Sequence, residues 1–310
     1  MRRWKGFWQL ADPKIWIAST VPMAAAGALA YSRTGKFEFF WFLISLIGIY
    51  LLEIGKNAVN EVMDYLTGVD RFVSPDKRTP FSGGKKTIVD NKLTVLETVI
   101  IAILTIAGGC VIGIYLMIFR EPLIFFIGIL GVFFSIFYSL PPFKFAYRGL
   151  GELVVGLTFG PLILSGMYLI LTGTLDIFAI AVSLPIGFLI ANVLWINQYP
   201  DYEADLQGNK RNWVVRMGKK KGVIVYAALY ILAYLMLLLL SIIFRNPFWL
   251  VGYVGLPLAV KSIKIAHRFY NNISVLVEAN AKTVIVYQIT GAAIVLGALT
   301  NKLFIPFNLY

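Results

Sequence analysis

Apolar residues in this chain come in long runs, and the short stretches between them carry most of the charge. A helix that crosses a bilayer needs about 20 mostly apolar residues. By that measure nine runs are predicted spans, at 15–31, 37–63, 95–119, 123–139, 153–171, 177–196, 223–244, 248–265 and 283–299. Two of them end unlike the rest. In the second, Glu53, Lys56, Asn57, Asn60, Glu61 and Asp64 recur at spacings of three and four and therefore share one helical face. That face leaves the apolar run through Asn60-Glu61-Val62-Met63-Asp64-Tyr65-Leu66-Thr67-Gly68-Val69-Asp70. The sixth ends in Asn197-Gln198-Tyr199-Pro200-Asp201-Tyr202-Glu203-Ala204-Asp205, again an Asn, an Asp four on, and a further Asp beyond it. Amides and carboxylates are costly at the end of a lipid-compatible helix, so their recurrence asks for a function.

Composition agrees with the pattern: 59% of the 310 residues are hydrophobic and 14% charged, with a mean hydropathy of +0.77. This predicts an all-α polytopic membrane protein, about nine transmembrane helices in one bundle and one domain over 1–310. The net charge of +12 does not point to nucleic acid, because the bases sit in short segments between apolar runs. Of the 28 lysines and arginines, 23 lie at the N-terminus and at or after the ends of spans two, four, six and eight, counting Lys56 with span two's end and Lys261 and Lys264 with span eight's. By the positive-inside rule that side is cytoplasmic, which places the N-terminus and both Asp-rich loops in the cytoplasm and the C-terminus outside. A plasma-membrane location is expected. The two motifs lie four spans apart, as a duplication of a four-helix unit would place them. The N-terminal residues, basic and aromatic, lack the apolar stretch of a cleavable signal and are expected on the membrane surface.

The donor set limits the metal. With one cysteine, Cys110, and one histidine, His267, no thiolate or imidazole site is available, so a bound metal should be hard and held by oxygen. Asp201 and Asp205, four apart on a helix, project together. Gly68 is expected to end the first helix, leaving Asp70 to reach back from a loop. Asn60 and Asn197 either orient the carboxylates or ligate through their amide oxygens. Two such clusters suit a diphosphate bridged by two Mg²⁺ ions, with Lys77, Arg78, Lys144, Arg148 and Arg211 covering the remaining phosphate oxygens. A charged head at the water-facing end above a lipid-like interior suits a polyprenyl diphosphate. Glu53 with Lys56 reads equally as an ion pair within one helix or as a catalytic element.

At these motifs the chain resembles the UbiA superfamily of intramembrane aromatic prenyltransferases, over nearly its whole length. Asn60-x3-Asp64 followed by Thr67-Gly68-Val69-Asp70, and Asn197-x3-Asp201-x3-Asp205 followed by Gly208-Asn209-Lys210-Arg211, are most similar to the 1,4-dihydroxy-2-naphthoate branch and its vertebrate-type relatives. The loop Lys77-Arg78-Thr79-Pro80-Phe81-Ser82-Gly83-Gly84 is similar to that of the archaeal geranylgeranylglyceryl phosphate enzymes. Glu61 stands where many members carry Asp, and Asp70 follows Asp64 by six residues where four is common. The family's Tyr-x3-Lys element is loosely matched by Tyr138 and Lys144, which adds Tyr138 to the implied diphosphate contacts. The resemblance implies that Asp64, Asp201 and Asp205, with Asn60, Asn197 and Asp70, hold two Mg²⁺ ions on a prenyl diphosphate. An electron-rich acceptor ring then attacks the allylic cation left by diphosphate loss.

The acceptor implied is 1,4-dihydroxy-2-naphthoate or a related ring; 4-hydroxybenzoate and geranylgeranylglyceryl phosphate are the alternatives within the superfamily. From another class, a secondary transporter would also have many spans and an internal repeat, but it would place its polar groups at mid-depth. A lipid phosphotransferase of the CDP-alcohol type would carry a compact Asp-Gly and Ala-Arg signature, which is absent.

Overall fold

The computed structural model describes residues 1–74, 77–81 and 84–304, so Ser82 and Gly83 of the basic loop, with Pro75 and Asp76, lie outside the described residues. Thirteen α-helices run through them: α1 Arg2–Ala11, α2 Ile17–Thr34, α3 Phe39–Leu66, α4 Val69–Phe72, α5 Val95–Phe119, α6 Ile124–Phe137, α7 Gly151–Leu157, α8 Ile163–Thr172, α9 Ile177–Gln207, α10 Trp213–Met217, α11 Lys219–Ile243, α12 Leu256–Phe269 and α13 Ile273–Thr300. Among the described residues eight helical segments are long and apolar enough to cross a membrane, and the protein is an integral membrane protein. The fourth predicted span is the exception in length. Its helix, α6, has 14 residues, or roughly 21 Å at 1.5 Å per residue, short of a hydrocarbon core of about 30 Å.

Local chemistry sets the ends. Thr94 and Glu97 form a reciprocal capping box that starts α5. Asp176 accepts the Phe178 amide at the start of α9, and Asn272 the Val275 amide at the start of α13. Gly35 and Gly173, both left-handed, stop α2 and α8. Between α7 and α8 the turns widen over Thr158–Leu162, where Pro161 cannot donate a backbone hydrogen bond.

The halves repeat one order: a long helix ending in an Asn/Asp motif, then a return helix of 25 residues, α5 or α11. α3 packs along α5, and α9 along α11 and α13, while α13 also lies against α2. Where α7 and the widened turns cross α9, backbone meets backbone. A Cβ on Gly160 would lie 2.8 Å from the Gly187 Cα, and one on Gly187 2.7 Å from the Gly156 carbonyl oxygen. Small residues of this kind let membrane helices approach closely. Ile103, Val111 and Ile118 on α5, and Ile224, Ile231 and Ile242 on α11, face outward and exposed, as lipid-facing surface should. Near the N-terminus α1 places Arg2 and Arg3 to pair with Glu97. Trp4 and Trp8 stay exposed, where interfacial aromatics belong.

Candidate active site

Both motif helices end on the same side of the bundle, and one close contact brings those ends together. A Cβ on Gly208, just past α9, would lie 2.2 Å from Val69 Cγ2 in α4, so only glycine lets the two motif ends meet there. On the first side, α3 stops at Leu66 and Gly68 turns the chain with φ 86. Asp70 consequently lies in the single-turn helix α4 rather than in the expected loop.

Asp64, 1% exposed, is held from three directions. Asn60 Nδ2 donates to its Oδ2 at 2.7 Å, Tyr147 OH to its Oδ1 at 2.6 Å, and Lys210 Nζ reaches both oxygens at 3.2 and 3.0 Å. Lys210 Nζ is also 3.9 Å from Asp205 Oδ1, so one ammonium bridges the two motifs. Its loop is built for this. The Lys210 amide donates to the Asp205 carbonyl at 2.7 Å, the Arg211 amide to the Tyr147 carbonyl at 3.0 Å, and Asn212 Nδ2 to Asp205 Oδ2 at 2.7 Å. Burial works against the Lys210 charge, but Asp64 and Asp205 more than offset it and hold the ammonium well above the ordinary lysine range. Burial, then the Asp64 carboxylate, pushes the Tyr147 phenol up, so it remains a donor to Asp64.

Asp70 is buried against Gly84, where a Cβ would lie 2.1 Å from its Oδ1. Lys86 Nζ is 3.8 Å from that Oδ1, and Oδ2 has no hydrogen-bond partner among the described residues. Burial, then Asp64 and Glu61, pushes the Asp70 carboxyl up to about 8 against the opposing pull of Lys86 and Lys210. Along α9, Asp201 and Asp205 are both buried, and Asn197 Oδ1 accepts from Asn280 Nδ2 of α13 at 2.8 Å. Asn60 Oδ1 is likewise taken, by Ser139 Oγ at 2.9 Å. Both asparagines thus hold neighbours as well as standing beside carboxylates. Among the described residues no three acidic or imidazole groups converge as a ready ligand set; the Lys210 ammonium stands between Asp64 and Asp205.

The basic residues divide. Lys77 pairs with Glu203 at 3.5 Å and Arg78 with Asp90 at 3.0 Å, which engages both with protein carboxylates. Lys144 lies over the Tyr147 ring at 5.4 Å, while Arg148 and Arg211 are exposed at the rim. Tyr138 places its ring under the Lys56 ammonium at 5.7 Å. Glu61 does something the spacing did not disclose. Fully buried, it accepts the amides of Lys85 at 2.8 Å, Lys86 at 2.9 Å and Ile88 at 3.1 Å, and the Thr87 hydroxyl at 2.9 Å, so it clamps the returning loop beneath Asp70. Lys210, part of the Gly208-Asn209-Lys210-Arg211 motif but given no role by the sequence, is 14% exposed and central. The other omission was Tyr147, which sits in the turn-rich segment after the paired prolines.

Directly beyond Asn60 opens a cavity of about 520 Å³ between α3, α5, α6 and the α7–α8 segment. Ser19, Glu53, Lys56 and Tyr138 lie in its wall at the motif end; the rest is lined mainly by aliphatic residues, phenylalanines and six glycines, with Ser45, Cys110, Ser135 and Thr158 among them.

A profile of the UbiA prenyltransferase family matches residues 20–303. The chain belongs to the UbiA prenyltransferase family. It is a prenyltransferase, and the sequence-based expectation of this family stands. The 1,4-dihydroxy-2-naphthoate octaprenyltransferase of Bacillus subtilis (strain 168) is 26% identical over 279 residues, 89% of this chain and 87% of that protein. The apo structure of a UbiA homolog from Aeropyrum pernix K1 shares the fold with a TM-score of 0.68 at 16% identity, over 91% of this prenyltransferase and 98% of that chain. A UbiA homolog from Archaeoglobus fulgidus, bound to GPP and Mg²⁺, aligns with a TM-score of 0.59 at 17% identity, over 93% and 99% of the two chains.

Proposed function

We propose that this prenyltransferase moves a polyprenyl group from a prenyl diphosphate to an aromatic quinone precursor, in a divalent-metal-dependent reaction. One observation carries the reading: the face of α3 that bears Asp64 and Asn60 continues through Lys56 and Glu53 into the wall of an apolar cavity. A charged head at the acidic end and a hydrocarbon tail in the cavity use both ends of that face. The Bacillus subtilis relative supports an aromatic acceptor of the 1,4-dihydroxy-2-naphthoate kind.

Asn60, Asp64, Asp70, Asn197, Asp201 and Asp205 would hold the metal, two Mg²⁺ ions in the fullest reading. The donor set fits: it is all oxygen, Asp70 Oδ2 is buried without a partner among the described residues, and a cationic nitrogen already stands between Asp64 and Asp205. Bound there, Mg²⁺ supplies positive charge to the departing diphosphate. The chain's own residues do the rest. Tyr147 and Asn60 fix the Asp64 carboxylate, Glu61 fixes the loop that carries Lys86, and Lys144, Arg148 and Arg211 would meet phosphate oxygens. The apolar cavity keeps water from an allylic cation, and its aromatic faces favour positive charge. The site opens to the cytoplasm, with the plasma membrane as the host bilayer; charge asymmetry supports that orientation.

The test is purified protein in lipid nanodiscs with radiolabelled geranylgeranyl diphosphate, a panel of hydroxyarenes and either Mg²⁺ or excess EDTA. Labelled, prenylated arene should form with Mg²⁺ and vanish with EDTA. Full turnover in EDTA would remove the metal, and diphosphate-independent flux of solute without product would favour a transporter.

A further inference from the structure

Glu53 and Lys56 are not accounted for by donor binding. Both line the cavity, one and two turns deeper along α3 than Asn60, where the remaining wall is almost entirely apolar. A spacing of three would let them pair with each other on one helix. They do not. Among the described residues Lys56 makes no ion pair within 4.0 Å and no hydrogen bond; its ammonium lies 5.7 Å from the Tyr138 ring and feels the Glu53 carboxyl only at longer range. Glu53, 5% exposed, takes one hydrogen bond, from Ser19 Oγ to Oε2 at 2.5 Å, which leaves Oε1 without one. A cation and a carboxyl held apart in an apolar wall are expensive unless a ligand completes them.

We infer that Glu53 and Lys56 form the acceptor subsite and hold a ring carrying a carboxylate beside a hydroxyl. Lys56 pairs with the carboxylate, and Glu53 Oε1 accepts the hydroxyl proton as a hydrogen bond. The prenyl tail offers neither group, and the diphosphate belongs with the motifs nearer the helix end. A second oxyanion with the same geometry is a phosphate beside a hydroxyl. Its extra charge would be left unneutralised by one ammonium in an apolar cavity next to Glu53, so the pair selects the monoanion. Phe134, Phe137, Tyr138 and Phe159 in the same wall suit a flat ring. Lys56 and Asn60 are about 6 Å apart along the helix axis, close to the length of a fused bicyclic ring. A ring anchored on Lys56 therefore reaches the level of the diphosphate with its far edge.

This inference rests on the prenyl-transfer reading, but it is tested by binding alone. The intact protein in nanodiscs is titrated with 1-hydroxy-2-naphthoate and with 1-naphthol, by ligand fluorescence, without prenyl diphosphate. The carboxylated ring should bind about tenfold tighter or more. That preference should vanish in Lys56→Met and return in Lys56→Arg, while Glu53→Leu should weaken both rings alike; geranylgeranyl diphosphate binding checks that each variant is folded. Wild-type protein without the preference, or Lys56→Met that keeps it, overturns the subsite. Displacement of the naphthoate by a monoprenyl glycerol phosphate at lower concentration than by 1-hydroxy-2-naphthoate itself would assign the pair to phosphate and overturn the carboxylate. Carboxylate-selective binding with no turnover on any acceptor would instead count against the proposed reaction.

Discussion

The two halves of the bundle follow the same order of elements but spend their interiors differently. Between α3, α5, α6 and α8 the first half leaves an open-sided cavity of about 520 Å³, and Gly113 and Gly128, both in its wall, have nothing within 4 Å of where a Cβ would stand. The matching space among α9, α11, α12 and α13 is filled by Trp249, Tyr226, Tyr230, Tyr234, Tyr287 and Phe244, all buried. There glycine makes room for protein: a Cβ on Gly297 would lie 2.8 Å from the Trp249 ring, and one on Gly252 2.6 Å from Leu237. The tyrosines are tied together, with Tyr226 OH 3.0 Å from Ser262 Oγ and 2.5 Å from Thr283 Oγ1. A repeat of helices does not imply a repeat of function. One half is packed as a support and the other is left open for a ligand, while the helix ends of both halves contribute acids to one site.

That shared site is where the comparison should break first. If Asp64 and Asp201 act as a unit on one diphosphate, Asp64→Ala and Asp201→Ala should each lower kcat at least ~10²-fold, and the double variant should be little worse than either. Near-normal kcat in Asp201→Ala, in protein that elutes and melts normally, would confine the chemistry to the first half.

The filled half should respond in stability instead. Trp249 is fully buried, stacks on Phe244 and donates to Asn301 Oδ1 at 3.0 Å. Trp249→Ala should cost about 3–5 kcal/mol, read as a lower Tm in detergent, with the KM for prenyl diphosphate unmoved. A changed KM at unchanged Tm would mean that this half also touches substrate.

Lys210 tests the seam. Replacing it with Met removes a buried cation and leaves Asp64 facing Asp205, so the protein without divalent metal should lose several degrees of Tm, on the order of the 3–5 kcal/mol seen when a buried pair is broken. Added Mg²⁺ should restore much of it. A Tm that ignores both changes would make the bridge incidental.

How much of this was legible follows from which interactions are local. Hydropathy found every long apolar run because crossing lipid constrains each run by itself. It overestimated the fourth, since α6 ends at Phe137, before the turn through Leu140-Pro141-Pro142, and an apolar run does not show where its helix stops. The acids were visible because spacing along one helix is local. Tyr147 and Lys210 were not, because their meaning arises where three separated segments meet at Asp64. Lys77 and Arg78 lie 3.5 Å from Glu203 and 3.0 Å from Asp90, partners that spacing along one segment cannot show. Glu53 and Lys56, read as either an ion pair or a catalytic element, stand beyond 4.0 Å from each other while their charges still interact, which a helical wheel cannot distinguish from a close pair.

The smallest expected effect is also the sharpest on the difference between the halves. Gly128 faces the cavity with open space where a Cβ would go. Gly128→Phe should therefore fold, since it displaces no neighbour, and it should occupy volume that a long tail needs. Geranyl diphosphate, whose tail ends nearer the acids, should be used within about twofold of wild type, whereas geranylgeranyl diphosphate should fall about fivefold in kcat/KM, a loss of roughly 1 kcal/mol. The control is Tyr226→Phe in the filled half, which removes the hydroxyl at the centre of the Ser262 and Thr283 contacts. It should lower Tm by the equivalent of about 1 kcal/mol and leave the ratio of the two donors alone. Equal losses on both donors in Gly128→Phe would show that the tail does not run past α6, and a shifted ratio in Tyr226→Phe would place it in the other half.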